Sequence, residues 1–202
     1  MPRHSPVLSR IGLPRFTRRF ARDARGIAAV EFAFVAPIML LMLIGTVEAS
    51  RAIGIDRRLS LVTTMVADLV AREQKMTSAD LTSIYKIVNQ VMSPYDASSL
   101  KVSVIPVKAS PSDAAQTKVY ASTTNRPSHN GATQPSKCSS YSLTAALLPK
   151  GASVVVVESS YTYQPIFLNY VFGAASWTDK AFATPRNSCV DFDSDKCVST
   201  CF

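Results

Sequence analysis

The stretch that most constrains this chain runs from Arg25 to Val47, RGIAAVEFAFVAPIMLLMLIGTV, an apolar run with one acid near its start and a basic segment before it. From Ile27 to Val47 it is 21 residues long. At a rise of roughly 1.5 Å per residue, a helix of that length covers about 31 Å, close to the hydrocarbon thickness of a bilayer. The run therefore predicts a membrane span. Residues 1 to 25 hold seven arginines, Arg3, Arg10, Arg15, Arg18, Arg19, Arg22 and Arg25, against the single acid Asp23. That is a local charge of +6 in a chain whose total is +8, so the remainder is nearly neutral. Arginine directly before an apolar span follows the positive-inside rule. A nucleic-acid-binding arm, the other common use of such a run, is not expected. The rule puts residues 1–26 in the cytoplasm as a basic leader, 27–49 in the membrane as a single-pass helix, and 50–202 on the far side.

A carboxylate within an apolar span costs free energy and is usually retained for a task. Glu31 is the fifth residue after Gly26, with Ile27, Ala28, Ala29 and Val30 between them and Phe32 following. Basic leader, glycine, four apolar residues, Glu, Phe and a long apolar run together resemble a class III (prepilin-type) processing site. The fuller string from Gly26 to Leu41 resembles the opening of TadE-like proteins of the tight-adherence (Flp) pilus assembly system. Val47, Glu48 and Arg51 resemble the family's V-E-x-x-R continuation. A looser likeness returns in Gly151, Val154 to Val157, Glu158, Tyr161, Tyr163 and Pro165, and in the closing Ala183 to Arg186. The resemblance implies a pseudopilin or assembly factor of the bacterial inner membrane with a periplasmic domain. Its partners would be membrane lipid, a prepilin peptidase cutting after Gly26, other pilins or pseudopilins, and tight-adherence assembly proteins.

Two rivals remain. One is an uncleaved single-pass scaffold of the same machine. The other is a conventional secretory signal, in which small residues at Val47–Ala49 admit signal peptidase I and a soluble protein starts at Ser50. Against the second, the apolar stretch from Phe32 to Val47 is long for a signal peptide, and Glu31 has no use there. Within the span, Pro37 lacks an amide hydrogen, so the helix is expected to bend or loosen at that point.

After the span, Ile55, Leu59, Val62, Val66 and Leu69 recur near one face, while Arg51, Arg57, Arg58, Asp68 and Arg72 lie largely elsewhere. This predicts that the membrane helix continues as an amphipathic stalk, with Gly54 as a hinge. A second helix is expected over Ser78–Met92, opened by Thr77 and Asp80 as a capping box. Its apolar side would be Leu81, Ile84, Ile87, Val88 and Val91, and Ser93-Pro94 would stop it. Leu100–Val107 alternates as a strand with Leu100, Val102 and Val104 on one face, Pro106 suggesting an edge or a strand end. Lys118–Thr123 reads as a weaker strand, and Thr123–Lys137, with its single His129, as an exposed loop. The best strand is Ala152–Phe167, whose four valines suit burial on both faces. The fold class expected is α+β: a long N-terminal transmembrane helix running on into a periplasmic helix, then a small pilin-like domain of helix and antiparallel sheet.

All four cysteines, Cys138, Cys189, Cys197 and Cys201, fall in the part expected to be exported. An oxidising compartment favours up to two disulfides, with three pairings open. Zinc is disfavoured, because Cys197 and Cys201 stand four apart and no histidine lies near. Asp191, Asp193 and Asp195 alternate, but without the glycine and closing Glu of a calcium loop they read as a solvated tail. Glu158 reads as solvated or paired with Lys or Arg. No nucleophile elbow, phosphate loop, dinucleotide-binding glycine pattern or metal-ligand cluster is present, so neither enzyme activity nor a cofactor or metal is expected.

Overall fold

The computed structural model describes residues 25–144, 148–166, 173–197 and 201–202. The basic leader lies outside the described residues up to residue 24. Two compact units are distinguished, one ending at Thr46 and one comprising Val47–Phe202. Helix α1 (Arg25–Arg72) contributes its first part to the one and its remainder to the other. Within the first unit the helix is uninterrupted at Pro37. The missing proline amide leaves the Ala33 carbonyl without its usual helical donor.

The second unit is a helix-on-sheet domain. Its elements after α1 are β1 (Lys75–Met76), α2 (Ser78–Met92), a single 3-10 turn at Ala97–Ser99, β2 (Leu100–Ala109), β3 (Thr117–Val119), β4 (Ser153–Tyr163), β5 (Ala175–Ala183) and β6 (Asp191–Phe192). Strands β3-β2-β4-β5, in that order, make an antiparallel sheet. On one of its faces Ile55, Leu59, Val62 and Val66 of α1 and Leu81, Tyr85, Val88 and Met92 of α2 pack against Leu100, Val102, Val104, Val155 and Val157. Each such side chain taken fully out of water contributes about 1.5–3 kcal/mol. On the opposite face Ile105, Val107, Val119, Val154 and Val156 are covered by Leu148 and Tyr141. The central strands β2 and β4 are thus buried on both faces, which is why they are apolar nearly throughout rather than alternating.

Helix α2 occupies the expected Ser78–Met92, and both halves of its capping box form: the Thr77 side chain accepts from the Asp80 amide, and the Asp80 side chain accepts from the Thr77 amide. Its far end is held from α1, where Arg58 Nη1 donates to the carbonyls of Val91, at 2.6 Å, and Ser93. The Arg58 guanidinium also lies over the Tyr95 ring.

Several expectations are corrected. Ile87 is exposed, and the buried face of α2 runs instead through Tyr85 and Met92. On α1, Val70 is buried where Leu69 was expected to be. Gly54 is no hinge: a Cβ there would collide with Tyr95 Oη, so the missing side chain serves a close helix contact. Pro106 lies in an internal strand opposite Val155. It is tolerated because its carbonyl accepts from Tyr120 on the β3 side, so its missing N–H points that way too, outside the β2–β4 ladder. The weaker strand is only Thr117–Val119, although Tyr120 and Ala121 after it are buried. The long strand ends at Tyr163, and Phe167, where it was expected to finish, is outside the described residues. Residues 123–137 form no regular element but are not simply an exposed loop, because Arg126 is fully buried. Its guanidinium donates to the carbonyls of Ala121 at 3.1 Å, Val104 at 2.9 Å and Pro135. Burial lowers its pKa to about 10, so it keeps its proton at neutral pH. In the same segment His129 pairs in an isolated bridge with Val102, stacks near Tyr85 and shares a hydrogen bond with Asn89.

Candidate functional site

The residues expected to be processed lie in the opening turns of α1. A Cβ on Gly26 would meet nothing within 4 Å, and Ile27 and Phe32 are 62% and 67% exposed. Glu31 stands four residues after Ile27, one helical turn on and over the same face. It is exposed and takes part in no ion pair among the described residues. Every large apolar side chain from Ile27 to Leu43 is at least half exposed. The helix has a window of mean hydropathy 2.5, none of it buried. A helix apolar on all sides and covered by no protein finds its counterpart in lipid. By length and composition this one can cross a membrane.

Where the second unit begins, a carboxylate holds a loop. Glu48 is 7% exposed, and accepts from the Tyr163 hydroxyl and from the Ile166 amide at 2.9 Å. Burial first, and the neighbouring carboxylate second, push the Tyr163 phenol up to about 12. Tyr163 also leans on Trp177, with ring centroids 6.0 Å apart. One turn after Glu48, Arg51 lines a cavity of about 480 Å3 with Tyr95, Asp96, Tyr161, Tyr163 and Gln164. The V-E-x-x-R string and the tyrosine-proline segment, separate in sequence, therefore meet in space. Neither segment points to the other in sequence, because nothing local links positions 115 apart.

The four cysteines resolve into two disulfides, Cys138–Cys201 and Cys189–Cys197, with Cα–Cα distances of 5.1 and 6.0 Å. Two lysines on the sheet hold the same tail: Lys108 Nζ donates to the Cys197 carbonyl at 2.9 Å and Lys118 Nζ to the Cys201 carbonyl at 2.7 Å. The alternating aspartates are no solvated tail. Asp191 accepts from the Cys197 amide at 2.8 Å, and Asp193 from the Ser78 amide at 3.0 Å. Asp195 accepts from Lys137 Nζ at 2.5 Å, the Ser122 amide at 2.7 Å and Asn125 Nδ2 at 2.8 Å. Burial pushes its carboxyl up, but these donors together outweigh burial and hold it well below the usual carboxylate range. Strand β6 pairs in parallel with β1, Lys75 opposite Asp191 and Met76 opposite Phe192. The acids thus hold chain segments together, and among the described residues no group of three His, Cys, Asp or Glu is placed to hold a metal ion. Glu158 is paired as expected, with Lys180 Nζ at 2.7 Å and the Tyr141 hydroxyl at 2.6 Å.

An exposed apolar helix with a glycine and an acid five residues apart, leading into V-E-x-x-R, is decisive when set beside known proteins. Residues 26–68 match the family of TadE-like proteins. The match takes in the TadE-like span, its Gly26 and Glu31, and the Glu48–Arg51 turn, and it ends before β1. The match covers 43 of the 202 residues and likens that helix to TadE-like proteins. No curated protein and no solved structure matches the chain.

Proposed function

We propose that this chain is a pseudopilin, a minor pilin-like subunit or assembly factor of a tight-adherence (Flp) pilus, matured by a prepilin peptidase that cuts after Gly26. The observation that carries this reading is the exposed TadE-like helix, apolar but for one acid a turn inside it and headed by a glycine with open space where a Cβ would stand. In the precursor, the arginine-rich leader stays in the cytoplasm and the helix anchors the chain in the inner membrane. The small Gly26 lets the backbone approach the peptidase. Cleavage leaves a charged amine on Ile27. The Glu31 carboxylate, in the same chain or a neighbour, offsets that amine and so recovers its membrane cost. Apolar helices packed side by side then bring the subunit into or beside the filament, with the α+β unit in the periplasm.

Glu48 speaks against release at Ser50, because such a cut removes the carboxylate that holds Tyr163 and Ile166. N-terminal sequencing and intact mass of the membrane-extracted protein test the reading. A chain starting at Ile27 supports it. The full-length mass makes the protein an uncleaved scaffold, and a soluble chain starting at Ser50 makes it an ordinary secreted protein. Glu31→Ala is expected to impair processing or pilus formation, and unchanged processing, localisation and piliation would overturn the role given to that acid.

A further inference from the structure

The disulfide pattern is nested: Cys189–Cys197 lies inside Cys138–Cys201. Two independent physical effects favour a different isomer while the chain is unfolded. The segment after the anchoring helix crosses in sequence order, so Cys138 meets Cys189 before Cys201 exists on that side. Loop closure also favours near neighbours, and Cys197–Cys201 closes a shorter loop than Cys189–Cys197. The order of export leads to Cys138–Cys189 and loop closure to Cys197–Cys201, and together they give the consecutive isomer. That isomer cannot be accommodated once the domain folds, because Cys138 is fixed beside β3 by its amide to the Val119 carbonyl. Cys197 is fixed by Asp191 and Lys108, and both Cys197 and Cys201 are buried.

We propose that the chain is a substrate of a periplasmic thiol–disulfide isomerase, which converts the consecutive isomer into the nested one; this rests on the exported reading above. Oxidation of four thiols sends four electrons to a dithiol oxidase of that compartment, and the rearrangement that follows consumes none. An isomerase thiolate attacks Cys201 Sγ of the Cys197–Cys201 bond, forming a mixed disulfide and freeing the Cys197 thiolate. Cys197 then attacks Cys189 Sγ, which forms Cys189–Cys197 and frees Cys138. Finally Cys138 attacks Cys201 Sγ in the mixed disulfide, forming Cys138–Cys201 and returning the isomerase thiolate. One cysteine of each finished pair, Cys197 and Cys201, is buried, which limits further attack on those sulfurs.

The test is non-reducing peptide mapping of the full chain made in otherwise identical bacteria with and without periplasmic isomerase activity. Loss of the isomerase is expected to raise the share of Cys138–Cys189 peptides at least fivefold at the expense of Cys138–Cys201. The Cys189→Ser/Cys197→Ser variant has only Cys138 and Cys201, now consecutive, and is expected to form that bond equally in both strains. Full native pairing without the isomerase overturns the proposal. So does isomerase dependence of the double variant, since the requirement would then not come from the pairing order. If alkylation finds all four thiols free, the exported reading fails first and this proposal with it, an outcome distinct from native pairing in an exported chain.

Discussion

Glu48, Arg126 and Gly54 show how much a single position can carry when its partner lies far along the chain. Glu48→Ala removes the acceptor of the Tyr163 hydroxyl and the Ile166 amide, and hydrogen bonds to a charged, part-buried group contribute about 1–3 kcal/mol. Urea unfolding of the detergent-solubilised protein is expected to show a loss of that size, largely recovered in Glu48→Gln. Arg126→Ala strands three carbonyls at once and is expected to cost about 3 kcal/mol or more. Arg126→Lys should restore only part of this, because an ammonium lacks the planar fork that reaches all three. At Gly54 the two readings separate cleanly. A helical Gly→Ala change without steric conflict gains about 1 kcal/mol. Against Tyr95 that gain is expected to vanish, and to reappear when Gly54→Ala is made in a Tyr95→Leu background.

Among the elements, α2 was legible to the residue, because a capping signature opened it, a serine-proline pair closed it and its apolar spacing was helical in between. Strand β4 announced itself by four valines, and the span by sheer length. Strand β5 did not: ASWTDKAFA lies at the sheet edge, is mostly exposed and carries no regular alternation to be read. The structure of residues 191–195 could not be read locally, because three aspartates look solvated until their donors are known, and those donors come from Ser78, Ser122, Asn125, Lys137 and Cys197. Of the candidate site, the proposed processing motif from Gly26 to Phe32 can be seen in sequence at all because such a motif is local, whereas the Glu48 clamp was invisible because its partners are not. The tail makes a prediction at this scale. Since the folded Asp195 carboxyl titrates below its unfolded value near 3.9, its contribution to stability is complete above about pH 4 and is lost as pH falls through the folded value. Asp195→Asn is expected to lower stability at neutral pH and to flatten the acid limb of a stability-against-pH curve. The disulfides should rank by loop length: with a sequence separation of 63, Cys138–Cys201 is worth about 4 kcal/mol, and Cys189–Cys197, with a separation of 8, about 2.5 kcal/mol by chain entropy. Thermal melts of the two paired Cys→Ser variants test that order.

For the molecule as a whole, α1 holds both an apolar part long enough to cross a membrane and the first residues of the unit that begins at Val47. The folded unit starts before Ser50, because Glu48 belongs to it. Two soluble fragments, 47–202 and 50–202, are therefore expected to differ by the same 1–3 kcal/mol as Glu48→Ala, and equal melting temperatures would remove Glu48 from the domain.

The parallel pairing of β1 with β6 has a further bearing, on timing. The Ser78 amide at the start of α2 receives the Asp193 carboxylate, and Met76 lies beside Phe192, more than a hundred residues later. Contacts of such long range form only after the intervening chain has been closed into a loop, and they slow folding accordingly. Synthesis delivers the first helices long before the last acids, so the second helix waits for its final contacts until residue 193 has been made. A chain that stops short of that point keeps an open seam beside β1, where a protease that degrades unfinished chains finds backbone that the β1–β6 pair would otherwise cover.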